Sequence, residues 1–144
     1  MQDVVKTDAA ETSSGGQMIT IYGIANCDTV RRARRELSVA AAESGHTVTF
    51  IDWRTRPVER SRIHTWIERC GNALINPRSR GFLALDAGAQ RETLDQTMDP
   101  ATIERLRGDP TLMRRPLIEF PDGRIGLGWQ KGQPMTFFAS PNRA

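Results

Sequence analysis

The chain has 144 residues and a mass of 16.1 kDa, which suits one domain whose core needs no disulfide staples. It contains no run of the ~18 apolar residues that a membrane span needs, and its N-terminus lacks the basic and apolar regions of a signal peptide, so we expect a cytoplasmic protein with no membrane partner. The formal net charge is +3, and nearly all of the positive charge is arginine, a residue suited to bidentate binding of carboxylates and oxyanions.

The predicted elements begin after a polar N-terminal tail. Residues 1–16 are small and polar and end in Ser-Ser-Gly-Gly, so they bury too little apolar surface to offset the entropy of ordering and are expected to be disordered. Residues 18–22 form a predicted buried strand, and apolar residues at helical spacing predict a helix from Asp28 that ends near Gly45. Residues 47–53 form a second predicted strand. Strand, helix and strand make a βαβ unit with a parallel strand pair.

The middle of the chain is predicted to be mostly helical. Apolar residues recur at helical spacing from Ile63 to Cys70, and Gly71 is placed to end that helix. Asp99 followed by Pro100 is typical of an N-cap and the first turn of another helix.

The last third of the chain is predicted to contain a hairpin. Residues 109–110 (Asp-Pro) start a short helix, and residues 115–120 and 124–129 form two strands. They are joined by the Pro-Asp-Gly turn at 121–123, a strong hairpin signal between apolar runs. A short C-terminal helix is expected near residues 134–138.

This order of elements predicts an α/β protein with a thioredoxin-like fold: a mixed sheet built as β-α-β and then β-β-α, with an all-helical insertion. We predict one domain over residues 17–144, with the thioredoxin-like core in 18–55 and 111–144 and the insertion in 56–110.

Cys27 lies where the loop after the first strand meets the first predicted helix. A cysteine at a helix N-terminus is close to unpaired backbone N–H groups and to the positive end of the helix dipole, and both favour thiolate over thiol. Arg31, one turn on, and Arg34, a further turn along, add positive charge. The same N–H groups bind anions. The alternative is a structural thiol, because cysteine is commonly buried.

Other motifs are excluded or point to structure. Val30 lies where a C-x-x-C dithiol needs its second cysteine, and Ala33 lies where a phosphatase loop needs its arginine. His46 and His64 are isolated, so no metal site is expected. Cys70 lies on the apolar stripe of its predicted helix, where core packing is favoured over a role as a resolving thiol.

Several separated segments resemble one protein family. Residues 21–34, IYGIANCDTVRRAR, resemble the opening of the ArsC/Spx family and most closely its YffB-like branch. The resemblance continues at residues 52–54, 74–78 and 113–117 and covers roughly residues 18–138.

The resemblance implies a thioredoxin-like sheet with a helical insertion and a set of site residues. It maps the family's nucleophile onto Cys27, anion-binding arginines onto Arg115 and Arg78, and the cis proline of the fold onto Pro116. Neighbours of the nucleophile are further candidates for the substrate and anion site: Asn26, Asp28, Thr29 and Arg31.

The resemblance also implies a reaction and partners. Arsenate reductases of the family have a further arginine where this chain has Gly126-Leu127-Gly128. We therefore expect a glutathione-dependent thiol reductase, with glutathione as co-substrate, glutaredoxin as a further partner and a small-molecule or protein disulfide as substrate. True arsenate reduction and a Spx-like regulator that binds RNA polymerase are the alternatives. We expect a monomer with no bound cofactor and no nucleic-acid partner.

Overall fold

The computed structural model describes residues 17–129 and the backbone of residues 136–138. Five strands form one mixed sheet in the order β2-β1-β3-β4-β5. In chain order the elements are β1 (Met18–Gly23), α1 (Asp28–Glu43), β2 (Thr47–Asp52), α2 (Arg60–Cys70), α3 (Arg80–Leu83), α4 (Ala87–Asp95), α5 (Pro100–Gly108), β3 (Leu117–Glu119), β4 (Ile125–Leu127) and β5 (Thr136–Phe138). Short 3₁₀ turns occupy Gly71–Leu74 and Pro110–Leu112.

Strand β1 lies inside the sheet, with a neighbour on each side. It pairs in parallel with β2 over its whole length and antiparallel with β3, where Tyr22 is opposite Leu117. β4 then pairs antiparallel with β3, and β5 with β4. The predicted βαβ unit followed by a hairpin, and with it the predicted fold class, is confirmed.

The two faces of the sheet pack against different helices because successive side chains of a strand point to opposite faces. Ile21 and Ile118 are fully buried in a cluster with Leu37 and Ala41 of α1. On the other face, Tyr22 belongs to a larger cluster that includes the apolar residues of α2 and α5. The helices between β2 and β3 therefore cover the face that α1 leaves open.

A half-buried carboxylate joins this helical block to the sheet. Glu119 of β3 accepts hydrogen bonds from Trp66 Nε1 at 2.7 Å and from Arg62 Nη1 at 2.9 Å, and the Tyr22 hydroxyl donates to it at 3.4 Å. The rings of Tyr22 and Trp66 meet edge to face, with centroids 4.9 Å apart. Burial, reinforced by the negative charge of Glu119, raises the pKa of Tyr22, so its hydroxyl keeps its proton and donates.

Most predicted helix ends are confirmed. α1 begins at Asp28 and ends just before Gly45, whose φ is +79°. α2 ends at Cys70 with Gly71 as its C-cap, and the Asp99 carboxylate caps α5 by accepting from the Ala101 N–H.

Two helices of the block were not predicted individually. α3 has four residues and α4 has nine, too short for a clear apolar period. Their signals are the N-caps: Ser79 Oγ accepts from the Phe82 N–H, and Asp86 Oδ1 accepts from the Ala89 N–H.

The predicted C-terminal helix near residues 134–138 is wrong where the structure describes it. Residues 136–138 form β5, with Ile125 opposite Phe138. The sequence Thr-Phe-Phe has high strand propensity, and the free edge of β4 offers it backbone partners. Residues 134–135 and the predicted disordered tail at 1–16 lie outside the described residues.

The contact between β1 and α1 requires glycine at position 23. A Cβ atom on Gly23 would lie 2.8 Å from Val30 Cγ2, closer than packed carbon atoms approach. We expect Gly23→Ala to lower the free energy of unfolding by about 1–3 kcal/mol, as overpacked cores do, measured by urea denaturation. Gly108→Ala is the matched control, because a Cβ there meets no atom within 4 Å; equal losses in both variants would show that Gly23 is not a packing constraint.

Candidate functional site

The sheet brings the loop that carries Cys27 and the segment before β3 to one edge. The last residue of β1 is opposite Asp52, the last residue of parallel β2. In the antiparallel pair Tyr22 is opposite Leu117, so Pro116 precedes β3 at the same end of the sheet. The loop that carries Cys27, four residues beyond β1, therefore leaves the sheet at the end where Asp52 closes β2 and Pro116 precedes β3.

Cys27 is the N-cap residue of α1. Its backbone is extended, with φ −101° and ψ 127°, and its side chain makes no capping hydrogen bond. The Cys27 carbonyl accepts the first helical hydrogen bond from the Arg31 N–H at 2.9 Å, and the half-buried thiol packs against the larger core cluster. The first-turn N–H groups have no acceptor within the helix. This helix N-terminus beside Cys27 is a favourable place for an anionic group.

Asp52, a residue that the sequence analysis did not place in the site, holds the Cys27 loop. Its Oδ2 accepts from the Ala25 N–H at 3.2 Å, and its Oδ1 accepts from the Arg54 N–H at 2.9 Å. Burial opposes ionisation of this carboxyl, but the hydrogen bonds from Arg54 and Ala25 and the Arg54 charge outweigh it and lower the pKa of Asp52. The sequence signal that could have identified Asp52 was its place in segment 52–54, one of the segments that carry the family resemblance.

The two arginines of α1 have different surroundings. Arg31 Nη1 lies 2.5 Å from Asp28 Oδ1, and both side chains are exposed, so the Arg31 charge is shared with that carboxylate. Arg34 lies over the ring of Phe50, 4.1 Å from its centroid, and packs on β2. Among the other predicted site residues, Asn26 is exposed and Thr29 is half-buried.

Two predicted arginines come together in a cavity of about 610 Å³. Its walls come from two chain segments, and an isolated β-bridge between Ile75 and Met113 holds these segments together. The lining residues are Asn76, Arg78, Ser79, Arg80, Leu83, Thr111 and Arg115. Arg80 was not predicted. Cys27 does not line the cavity, and Pro116 follows directly after Arg115 in the chain.

Arg115 is built into the cavity wall. Its Nη1 donates to the Thr111 carbonyl at 3.3 Å, while its buried Nε has no hydrogen-bond partner among the described residues. A buried donor left without an acceptor costs about 1–3 kcal/mol. Arg78 is exposed, and its side chain makes no ion pair within residues 17–129. No carboxylate lines the cavity, so the positive charges of these guanidinium groups are not neutralised by a side chain of its lining.

Pro116 has the predicted cis peptide bond to Arg115. Its carbonyl accepts from the Gly128 N–H at 2.9 Å, which fixes this segment against the end of β4. Gly128 has φ +79°, a backbone conformation unfavourable for an arginine or any other side chain at this position.

The second cysteine belongs to the core, as predicted. Cys70 is 6% exposed and packs in the larger cluster. Burial raises the pKa of the Cys70 thiol to about 12, although the charge of Arg69 opposes the shift. Cys70 is therefore a neutral thiol at physiological pH.

Metal-ligating clusters and membrane-spanning helices are both absent from the part of the chain that the structure describes. Within residues 17–129 no group of three or more His, Cys, Asp and Glu side chains lies close enough to hold a metal ion. No helix in the described part of the chain is long and apolar enough to cross a bilayer.

Comparison with known proteins places this geometry in a family. The sequence pattern of the ArsC family matches residues 22–136. The chain belongs to the ArsC family. The match includes the Cys27 loop, both walls of the cavity and cis Pro116, and the family is one of arsenate reductase-like thiol oxidoreductases with a thioredoxin-like fold.

Individual relatives agree with this assignment. An uncharacterized protein of Haemophilus influenzae is 31% identical over 123 residues, which are 85% of this chain and all of that protein. The solved structure of a YffB protein is 28% identical with a TM-score of 0.63, covering 78% of this chain and 91% of its own. A structure described as a possible arsenate reductase from Streptococcus mutans is 27% identical with a TM-score of 0.61, covering 78% and 92%.

The lowered pKa of Asp52 predicts a pH-dependent contribution to stability. A carboxyl whose pKa is lower in the folded chain than the ~3.9 of an unfolded aspartate stabilises the fold fully above that value and loses the contribution as pH falls through the folded value. We expect wild type to be more stable than Asp52→Asn at neutral pH and the difference to shrink below about pH 4, measured by urea denaturation at a series of pH values. Asp95→Asn, at the exposed end of α4, is the matched control. A difference that stays constant down to acid pH would rule out the carboxylate as the group that holds the loop.

Proposed function

We propose that this protein is a glutathione-dependent thiol reductase with Cys27 as its nucleophile. The observation that carries the proposal is the contrast between the two cysteines of the chain: Cys27 lies half-buried at the N-terminus of α1, towards the end of the sheet where Pro116 precedes β3, whereas Cys70 lies in the core. A disulfide exchange needs a second thiol to release the nucleophile. Because Cys70 is buried and protonated, that thiol comes from outside the chain, and glutathione is the candidate.

The proposed reaction takes two thiol–disulfide exchanges. The Cys27 thiolate attacks the glutathione sulfur of a mixed disulfide, a new S–S bond forms between Cys27 and glutathione, and the substrate sulfur leaves as a thiolate that takes a proton from water. A second glutathione thiolate then attacks the adduct, releasing glutathione disulfide and the Cys27 thiolate. Together, one free glutathione and the mixed disulfide give the substrate thiol and glutathione disulfide, so one disulfide bond is broken and one is formed. Glutaredoxin is an alternative reductant of the adduct.

The position of the arginine cavity favours an extended substrate. Arg78 and Arg115 line it, whereas Cys27 does not, so a ligand that reacts at Cys27 and binds these arginines must reach from one place to the other. A tripeptide such as glutathione spans about 10 Å when extended and carries carboxylates for the guanidinium groups. Its glutathionyl sulfur can then lie near Pro116, between the cavity and the nucleophile.

The proposal predicts one covalent adduct. After incubation with oxidised glutathione, mass spectrometry of the intact protein and of its peptides should find a single glutathione, on Cys27. Cys70→Ser should form the adduct at the same rate, and Cys27→Ser should form none. Equal modification of Cys70 in the folded protein, or no modification of either cysteine, would overturn the proposal.

Arsenate reduction needs its own test, because the further arginine of arsenate reductases has no counterpart in this chain's Gly126-Leu127-Gly128. Each missing charge-assisted bond is worth about 1.5–3 kcal/mol, so arsenate should bind and react poorly. We expect arsenate-dependent NADPH oxidation, coupled through glutathione and glutaredoxin, to show no rate above that of Cys27→Ser. A rate that requires Cys27 would instead make this chain an arsenate reductase.

A further inference from the structure

We propose that Arg80 makes the arginine cavity selective for ligands with two separated carboxylates. This inference rests on the proposed function for its ligand, glutathione. It adds the residue that binds the second carboxylate of that ligand. Arg80 lines the cavity together with Arg78 and Arg115.

All three guanidinium groups keep donors for a ligand. The side chains of Arg78 and Arg80 make no hydrogen bond or ion pair with any residue in 17–129, and Arg115 Nε is buried without a partner. Some arginines elsewhere in the fold have carboxylate partners, as in the pairs Arg31–Asp28, Arg62–Glu119 and Arg105–Glu92, whereas no carboxylate lines this cavity. Like charges in one cavity repel each other, so the unneutralised cluster favours an anionic occupant.

The two walls approach each other closely because position 81 is glycine. A Cβ on Gly81 would overlap Asp109 Oδ2 and lie 3.3 Å from Leu112 Cδ2, so a side chain there would displace the Asp109 carboxylate, which accepts from the Thr111 N–H and hydroxyl, or move α3 away from the 3₁₀ turn Pro110–Leu112. Glycine therefore allows the wall that carries Arg80 to face the wall that carries Arg115.

The number of cations and the size of the cavity point to two anionic groups. One carboxylate has two oxygens and is satisfied by one or two guanidinium forks, which leaves a third arginine for another group. A volume of about 610 Å³ lies in the range of pockets that hold extended small molecules and is large for a compact oxyanion. Leu83, 66% exposed on the same wall, provides an apolar contact for methylene groups between two carboxylates.

Glutathione carries carboxylates at its two ends. Arg115, half-buried with its unpaired Nε, is suited to fix the first of them. Arg80 is more exposed and is assigned the second, the glycine carboxylate, so losing Arg80 should affect only ligands in which that carboxylate is free.

The test measures equilibrium binding to full-length protein carrying Cys27→Ser, which cannot form a mixed disulfide. Calorimetry compares three probes: reduced glutathione, its glycine monoethyl ester and inorganic phosphate. We expect Arg80→Gln to weaken glutathione binding about tenfold, the loss of one charge-assisted contact, and to leave binding of the monoester unchanged. Arg80→Lys should recover part of the affinity, because it keeps the charge and loses the bidentate fork. Arg91→Gln, an exposed arginine of α4 outside the cavity, is the matched control and should bind like the parent.

Three results would overturn the inference: no weakening by Arg80→Gln, equal weakening for glutathione and its monoester, or phosphate binding as tight as glutathione binding and equally dependent on Arg80. The proposed function fails by a different result, namely the absence of a Cys27 adduct in the wild-type chain. If glutathione binding depends on Arg80 but no Cys27 adduct forms, the inference about the ligand stands and the proposed thiol reductase reaction is wrong.

Discussion

The candidate site depends on the pairing of β1 with a strand on each side. Because β2 runs parallel to β1 and β3 runs antiparallel to it, the end of β1 meets the end of β2 and the beginning of β3. The loop that carries Cys27 is thereby held by the Asp52 carboxylate, and cis Pro116 precedes β3 at the same end of the sheet. A shift of one residue in either pairing would turn Tyr22 and Ile21 to the wrong faces of the sheet. The core that fixes the register therefore also fixes the position of the loop that carries Cys27.

The cavity arginines come from the helical block and from the segment that leads from it back to the sheet. Its chain returns to the sheet through the bridge between Ile75 and Met113, where the Arg114 N–H also donates to the Leu74 carbonyl at 2.8 Å. Arg115 follows this junction directly, so one segment contributes a cavity arginine and the cis proline. On the far side of the block, Trp66 and Arg62 bind Glu119 of β3. The block is thus held against the chain just before Arg115 and again at Glu119 of β3.

The sequence predicted those parts of the structure that depend on residues close together in the chain. The first strand and helix, the glycine that ends α2 and the Asp99 cap follow from periodicity and capping within a few residues. The shorter α3 and α4 lack a period, and residues 136–138 become a strand because the open edge of β4 pairs with them. The same limit applies to the site. Cys27 was recognisable from its neighbours, whereas Arg80 and Asp52 acquire their surroundings only when distant segments meet.

The contrast between the two cysteines explains why the proposed function depends on how the protein binds an external thiol. Cys70 has the same side chain as Cys27, but burial raises its pKa to about 12, so it remains a thiol and a packing residue. A protein with one available thiol cannot close an internal disulfide and must let an external thiol approach the adduct. Any small thiol could do this chemically, since exchange requires only access and a thiolate. Under the proposed function, selectivity among thiols must therefore come from groups that bind the rest of the molecule, and we assign this role to the arginines of the cavity, of which Arg115 directly precedes Pro116.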